Sequence, residues 1–163
     1  MDVELILHDD SGLKIPNSSI VNKDFYLIPA ECFIEHENDP LSKGTLMLHT
    51  FKEDGTPTVD NRYIDIYSYD KENKEYYVDS SILQSGTQII RPDTQEKFEV
   101  WKKGTLTGVY YINKGYADFR QIQLLYQNEE YSIVKPNSQY GLTVYDYIVL
   151  NAKSVNDNQF VYN

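Results

Sequence analysis

The chain has 163 residues, 40% of them hydrophobic, so it can bury a core and is not expected to be disordered. Its 15 basic and 25 acidic residues give a formal net charge of −10, which would repel a nucleic-acid backbone and excludes nucleic acid as an expected partner. The single cysteine, Cys32, excludes an intramolecular disulfide, and no run of about 18 or more apolar residues suggests a membrane segment.

The first predicted elements are strands. "DVELIL" is typical of a strand from almost the first residue, which favours a piece of a longer protein over a native start at Met1. "SGLKIPNSSIV" predicts a strand that is interrupted at "PNSS". Pro16 fixes its own φ and has no N–H donor, so we expect the strand to end there, with Ser18 or Ser19 satisfying nearby backbone groups.

The rest of the chain also favours strands over helices. Fifteen tyrosines and six phenylalanines are residues that prefer strands. "NRYIDIYSY" alternates, with Ile64 and Ile66 on one face, and "FRQIQLLY" places Ile122 and Leu124 in the same way. Polar turn residues follow these segments, as expected for hairpins. The sequence therefore predicts an all-β fold of antiparallel hairpins.

A weak internal repeat relates residues 63–91 to residues 119–150. Each stretch has an alternating strand, an acidic turn, a second strand, a polar loop and an apolar pair. In this register Leu83, Ile89 and Ile90 align with Leu142, Ile148 and Val149. We therefore expect two small consecutive β-barrel-like or β-sandwich-like units, 1–98 and 99–163, with a seam in the polar run 91–99 that contains Pro92.

One short segment, Cys32 to Glu37, concentrates residues that bind metals in other proteins. Zinc sites require a second cysteine or histidine pair, and the other histidines are the isolated His8 and His49. The segment is therefore interpreted as a polar loop with a partly buried cysteine. No metal site is predicted.

No enzyme signature is found. Cys32 with His36 or His49 matches no local nucleophile motif, although a hydrolase that uses Cys32 or a carboxylate pair is one hypothesis to test. None of the eight glycines forms a phosphate-binding loop. We therefore predict no catalytic, cofactor-binding or metal-binding residue. The many tyrosines either pair across strands or, if exposed on one sheet face, could stack against sugars.

Several segments together resemble the membrane fusion proteins of the haemolysin-secretion type, also called periplasmic adaptor subunits, in their Gram-positive form. "GLKIPNSSIV" is similar to a family strand that ends in G-x-x-(I/V)-P before a serine-containing turn. "ILQSGTQII" and "GLTVYDYIV" are similar to the family's glycine turn, with Thr87 in place of Asp in the first and Tyr145 in place of Gly in the second. "GVYYINKGYADFRQIQLLYQNEEYSIVK" resembles the strand and hairpin that follow in the family.

This resemblance implies a non-enzymatic function. The chain would be the C-terminal β-barrel and membrane-proximal portion of an extracytoplasmic adaptor at the cell surface, anchored to the membrane in the full-length protein. Its partner would be a membrane transporter subunit of an efflux or secretion complex, and it could form homo-oligomers. The contact regions would include "SYDKENKEYY" and "PNSQYG". The alternative is a carbohydrate- or cell-wall-binding β module, which needs two or three coplanar, exposed aromatic rings on one sheet face.

Overall fold

The computed structural model describes residues 3–5, 8–9, 12–136, 140–142 and 147–150. Antiparallel strands dominate this part of the chain, and its helical elements are two single 3-10 turns, Asn17–Ser19 and Ala30–Cys32. The strands, in chain order, are β1 (Val3–Leu5), β2 (His8–Asp9), β3 (Gly12–Pro16), β4 (Val21–Pro29), β5 (Phe33–Ile34), β6 (Lys43–Phe51), β7 (Pro57–Asp70), β8 (Glu75–Asp79), β9 (Gln88–Ile90), β10 (Lys97–Glu99), β11 (Lys103–Asn113), β12 (Tyr116–Gln121), β13 (Leu124–Gln127), β14 (Tyr131–Val134) and β15 (Tyr147–Val149). The prediction of an all-β fold built from antiparallel hairpins is confirmed.

The strands form two compact units that are not consecutive along the chain. Unit 1 comprises residues 1–23 and 106–163, and unit 2 comprises residues 24–105. Unit 2 is therefore inserted within the sequence of unit 1, which differs from the expected division into 1–98 and 99–163. The polar run 91–99, expected to be a seam, instead holds the turn and second strand of the β9–β10 hairpin, in which Arg91 N–H donates to the Glu96 carbonyl at 2.8 Å.

Unit 1 consists of two small sheets with a core between them. One sheet has the order β1-β15-β11-β12, and the other has the order β13-β14-β3-β2. Both sheets contribute to one buried cluster, whose members are Leu13, Ile15, Val109, Tyr111, Ile122, Val134, Leu142 and Ile148. Alternation along β3 and β11 directs Leu13, Ile15, Val109 and Tyr111 inward, because successive residues of a strand point to opposite faces. Unit 1 is therefore sandwich-like.

Unit 2 is built on the strand order β4-β8-β7-β6-β9-β10, with β5 paired to β6. The long strand β7 pairs with β6 through its first part and with β8 through its last part, and the register shifts between Ile66 and Ser68. Ile64 and Ile66 are buried, as predicted, and the register shift also buries Tyr67. The fully buried large side chains of this unit are Phe25, Ile28, Leu46, Val78, Ile89 and Val100.

The two units repeat one pattern of strand pairing. In unit 2, β4 pairs with β8, β8 with β7, β7 with β6, β6 with β9 and β9 with β10. In unit 1, β3 pairs with β14, β14 with β13, β12 with β11, β11 with β15 and β15 with β1. In the repeated pattern, β12 and β13 of unit 1 together correspond to the single long strand β7 of unit 2. All of these pairings are antiparallel, so the internal repeat seen in the sequence corresponds to a repeated topology.

The predicted register of the repeat agrees with the strands. Ile89 and Ile90 in β9 and Ile148 and Val149 in β15 are all buried, and the residue before each pair is exposed. Gly86 has φ of +89°, which is the conformation that the glycine turn requires. The altered turn position, Tyr145, lies outside the described residues.

Of the two expected architectures, barrel-like and sandwich-like, the described strands fit the sandwich-like one. The strand orders in the described residues are open, with β13 and β2 at the two edges of one sheet of unit 1, and they fit a sandwich instead. Short strands of two to five residues in that sheet give too few ladder positions to curve it closed. Within the described part of the chain, no helix is long and apolar enough to cross a membrane.

Candidate functional site: an apolar edge strand and an acidic cleft

Strand β13 forms an exposed apolar edge in unit 1. It is the terminal strand of the order β13-β14-β3-β2, so within the described residues one of its sides carries no partner strand. Leu124, Leu125 and Tyr126 are 47%, 56% and 54% exposed. Three consecutive exposed apolar residues on an edge are unusual, because edges are normally protected by charges or proline. We call the segment Leu124–Gln127 the β13 edge.

An irregularity in β13 explains this exposure. The pairing with β14 shifts between Leu124 and Tyr126, so Leu125 is the extra residue of a β-bulge. The sequence predicts that Ile122 and Leu124 both face inward. Ile122 is buried, as predicted, but Leu124 is exposed, so the prediction is wrong for Leu124. Strand β12 ends at Gln121, and the break before β13 changes the alternation on which that prediction depended.

The sheet face beside the β13 edge carries further apolar surface. Tyr126 lies opposite Ile133, which in turn lies opposite Lys14 on β3. The rings of Tyr126 and Tyr131 have centroids 6.2 Å apart, and the Lys14 Nζ lies 4.4 Å from the Tyr131 ring centroid. Ile133 itself is buried. The β13 edge is therefore continuous with an aromatic patch.

The "PNSS" turn fixes the position of the β13–β14 hairpin. Pro16 is the last residue of β3, as predicted, and Ser19 Oγ donates to its carbonyl at 2.6 Å. Asn17 carries the long-range contacts: its Nδ2 donates to the carbonyl of Asn128 at 2.6 Å, and its Oδ1 accepts from Ser132 Oγ at 2.5 Å. The turn is thus tied to both ends of the hairpin's loop, which gives the β13 edge a rigid support.

Unit 2 contains an open cleft of about 390 Å³. Its apolar walls include Phe33, Ile66 and Tyr76, and the Phe33 and Tyr76 rings meet edge to face with centroids 5.1 Å apart. The loop between β5 and β6 supplies the acidic side chains Glu35, Glu37 and Asp39. Further lining residues are Ile34, His36, Pro40, Leu41, Lys43 and Gly44. We call this feature the acidic cleft.

Backbone hydrogen bonds shape the loop that borders the acidic cleft. The Asp39 N–H donates to the His36 carbonyl at 3.2 Å, and the Ile66 N–H donates to the Ser42 carbonyl at 2.7 Å. Gly44 has no room for a side chain, because a Cβ there would approach Phe33 Cδ1 to 2.6 Å. The absence of this Cβ lets the Phe33 ring lie close to the backbone of strand β6 at Gly44.

Cys32 is separated from the polar residues that follow it. It is fully buried, whereas Glu35, His36 and Glu37 are exposed and line the cleft. Burial, which outweighs the nearby Arg91 guanidinium, raises the pKa of the Cys32 thiol to about 11. A buried thiol that is protonated at neutral pH is a poor nucleophile, which argues against the hydrolase hypothesis for this residue. In the described residues, no group of three His, Cys, Asp or Glu side chains is placed to hold a metal ion.

Of the two loops expected to make contacts, the structure describes the first in full and the second only in part. "SYDKENKEYY" is the β7–β8 hairpin, whose turn is closed by the Asp70 carboxylate: its Oδ1 accepts from the Glu72 N–H at 3.0 Å and its Oδ2 from Asn73 Nδ2 at 2.8 Å. These hydrogen bonds hold the pKa of Asp70 below its usual value. "PNSQYG" lies partly outside the described residues. Strand β13 was not among the expected contact regions, although the uncharged run Gln121–Asn128 distinguishes it in the sequence.

The carbohydrate hypothesis needs coplanar, exposed aromatic rings, and the contacting ring pairs of the described residues are not coplanar. Contacting ring pairs are tilted or edge-on, with interplanar angles from 41° to 86°. Phe51 and Tyr63 are exposed on one face of the β6–β7 pair, but Tyr63 pairs with Thr45, six residues before Phe51. That separation is about 20 Å along a strand.

No family model, curated protein or solved structure matches this chain. The resemblance to membrane fusion proteins therefore depends on the sequence motifs alone.

Proposed function

We propose that this protein is a non-enzymatic scaffold module that associates with a second copy of itself through the β13 edge. The observation that carries the proposal is the exposure of Leu124, Leu125 and Tyr126 together on a strand with an open side. An open strand side presents unpaired N–H and C=O groups, and exposed apolar side chains beside them add burial when another strand pairs there.

The chemistry of the β13 edge suits a second copy. The run from Gln121 to Asn128 contains no charged residue, so two such strands can meet antiparallel without opposing like charges. A two-fold interface needs a surface that is complementary to itself. An uncharged strand with alternating backbone donors and acceptors has this property.

The association is expected to be weak and to depend on salt. A four-residue edge with a bulge buries much less than the roughly 1,600 Å² of a standard interface, so we expect an apparent Kd in roughly the high micromolar range. Two chains of net charge −10 repel one another, and added salt screens that repulsion. We therefore expect association to strengthen between low and moderate salt concentrations.

The specific biological role follows from the sequence resemblance. In that role the module is part of an extracytoplasmic adaptor at the cell surface, and the assembled copies contact a membrane transporter subunit of an efflux or secretion complex. Stiff β units with a defined contact edge suit such an assembly, because adaptors of this type stack β domains into a sleeve. The β13 edge supports self-association only, and the transporter contact is the part that depends on the resemblance.

Sedimentation velocity over a range of protein and salt concentrations tests the proposal. Wild type is expected to sediment faster as its concentration rises, and Leu125→Lys is expected to remain monomeric, since it replaces a contact worth about 1.5 kcal/mol or more by a charge. Val59→Lys, at a similarly exposed position on β7, is the matched control and is expected to behave as wild type. A monomeric wild type at all concentrations, or equal loss of association in both variants, would contradict the proposal.

A further inference from the structure

The acidic cleft in unit 2 has an apolar lining and an acidic border. Neither is needed for the self-association proposed above. Its walls are apolar and partly aromatic, with the Phe33 and Tyr76 rings in edge-to-face contact. Its volume of about 390 Å³ lies at the lower end of the range for sites that hold small ligands or single side chains. The cleft is open to solvent and is formed entirely by residues of unit 2.

The charges around the cleft are strongly unequal. Three acidic residues line it, Glu35, Glu37 and Asp39, and the Asp39 carboxylate also accepts a hydrogen bond from the Tyr63 hydroxyl at 3.5 Å. Lys43 also lines it, but its Nζ lies 3.3 Å from the Asp65 carboxylate, outside the cleft, and 5.4 Å from the Tyr63 ring centroid. The lysine is therefore already paired, and it does not neutralise the three carboxylates of the rim.

The aromatic wall lies close to this negative charge. The pKa of the Tyr76 hydroxyl is raised, first by burial and then by the neighbouring Tyr69 and Glu35. Glu35 and Tyr76 both line the cleft, and the negative charge of Glu35 acts on the Tyr76 hydroxyl. A cation that enters the cleft thus meets aromatic surface and carboxylate together.

We propose that the acidic cleft binds the side chain of an arginine on a partner polypeptide, with the aliphatic stem and guanidinium plane against Phe33 and Tyr76 and the N–H groups directed to Glu35, Glu37 and Asp39. A guanidinium is preferred to an ammonium because it is planar, stacks on aromatic rings and donates two parallel hydrogen bonds to a carboxylate. A neutral ligand of the same shape gains only the apolar contact.

Titration of the isotope-labelled full chain with the peptide amide Gly-Gly-Arg-Gly-Gly, followed by NMR, tests this assignment. We expect the amide signals of Phe33, Gly44 and Tyr76 to shift, with saturation in the millimolar range that one side chain can provide. The same peptide with citrulline in place of arginine has nearly the same shape and no charge, and we expect it to bind about tenfold more weakly or not at all.

The variants separate the cleft from the general negative charge of the chain. Glu35→Gln, Glu37→Gln and Asp39→Asn combined are expected to weaken binding of the arginine peptide about tenfold. Asp93→Asn, Glu96→Gln and Glu99→Gln combined remove the same charge from exposed positions elsewhere in unit 2 and are expected to leave binding unchanged. Equal weakening by both triple variants, or equal binding of the citrulline peptide, would overturn the proposal.

Free agmatine carries the same guanidinium without a polypeptide. Comparing its binding with that of the arginine peptide distinguishes a polypeptide ligand from a small molecule. Weaker binding of agmatine than of the arginine peptide is expected if the cleft also contacts the peptide backbone. Tighter binding of agmatine would overturn the assignment to a polypeptide and indicate a small-molecule site.

Discussion

Asn17 donates a hydrogen bond from its side-chain Nδ2 to the backbone carbonyl of Asn128, 111 residues later, over 2.6 Å. Asn17 N–H also donates to the Glu130 carbonyl at 3.0 Å, and Asn17 Oδ1 accepts from Ser132 Oγ. One residue of the "PNSS" turn therefore connects the N-terminal part of unit 1 to the loop of the β13–β14 hairpin. Asn17-Ser18-Ser19 also fits the N-x-(S/T) glycosylation pattern, and the hydrogen bond to Asn128 engages the amide nitrogen that would be modified.

We expect Asn17→Ala to destabilise unit 1 substantially. The substitution removes three side-chain hydrogen bonds, those with Asn128, Ser132 and Gln127, and leaves Ser132, which is buried, without its acceptor. The free energy of unfolding should therefore fall by about 1–3 kcal/mol. Urea unfolding monitored by tyrosine fluorescence measures this change. Ser18→Ala, at the exposed neighbouring position, is the control and should change stability by less than about 0.5 kcal/mol. Equal effects of the two substitutions would show that the Asn17 contacts do not stabilise the turn.

The buried thiol of Cys32 predicts a loss of stability at alkaline pH. Its pKa is raised from 9.0 to about 11, so the unfolded chain loses the thiol proton at a lower pH than the folded chain. The corresponding stability is fully present below pH 9 and is lost as the pH rises to 11, and it amounts to roughly 2–3 kcal/mol. Unfolding free energies measured from pH 8 to 11 should fall more steeply for wild type than for Cys32→Ala.

Other groups contribute to the same alkaline slope, which is why the difference between the two proteins is the quantity to measure. Burial raises the pKa of Tyr76 and of Tyr77, and the Glu75 hydrogen bond raises the pKa of Lys102. Each raised pKa adds stability that is lost as the pH rises through the folded value. Parallel pH profiles for wild type and Cys32→Ala would contradict the burial of the thiol, as would rapid modification of native Cys32 by a thiol reagent.

Gly108→Ala should strongly destabilise strand β11. A Cβ at this position would come closer than 3.0 Å to the carbonyl oxygen of Arg120 and to the Phe119 ring, and the backbone carbonyl cannot move away without breaking the β11–β12 pairing. We expect a loss of roughly 2–4 kcal/mol in unfolding free energy. Gly55→Ala, where no atom lies within 4 Å but φ is +86°, should cost only about 1–2 kcal/mol, the penalty for the left-handed backbone conformation. A smaller loss at Gly108 than at Gly55 would contradict this packing.

The ion pair between Lys102 and Glu75 should matter more than the exposed charges of the chain. Lys102 Nζ lies 2.7 Å from Glu75 Oε1, and the Glu75 side chain is largely buried. Lys102→Met leaves this carboxylate without its cation, so we expect Tm to fall by roughly a few degrees in a thermal scan at pH 7. Lys71→Met, in an exposed turn, removes the same charge and should leave Tm nearly unchanged. Equal Tm values for the two variants would show that water solvates Glu75 adequately.

The strands in which apolar and polar residues alternate regularly could be predicted from the sequence. Ile64 and Ile66 are buried as their alternation indicates, and Ile89 and Ile148 occupy equivalent positions, as the repeat indicates. These predictions succeed because hydrophobic periodicity is a local property of the chain. The insertion of unit 2 within unit 1 was not predicted, because it depends on the pairing of β3 with β14, more than 100 residues later.

The candidate sites were harder to predict than the strands. The bulge at Leu125 changes which side chains are exposed, and a bulge leaves no clear signal in a single sequence. The acidic cleft brings Tyr76 of β8 beside Phe33 of β5 and the loop that follows it, a contact between segments about 40 residues apart. The sequence indicated that Glu35, His36 and Glu37 lie close together. It also placed Cys32 with them, whereas the fold buries Cys32 away from the cleft.

Disulfide cross-linking between copies is the most direct test of association through the β13 edge. Single cysteines at Leu124, Leu125, Tyr126 and Gln127, each in a Cys32→Ala background, would be oxidised at a concentration where wild type associates. Antiparallel strands place opposite Cα atoms 4.5–5.5 Å apart, within the span of a disulfide, so at least one of the four variants should form a covalent dimer in high yield. Val59→Cys in the same background should not. Cross-linking of all four variants no better than Val59→Cys would contradict the proposed edge-to-edge association.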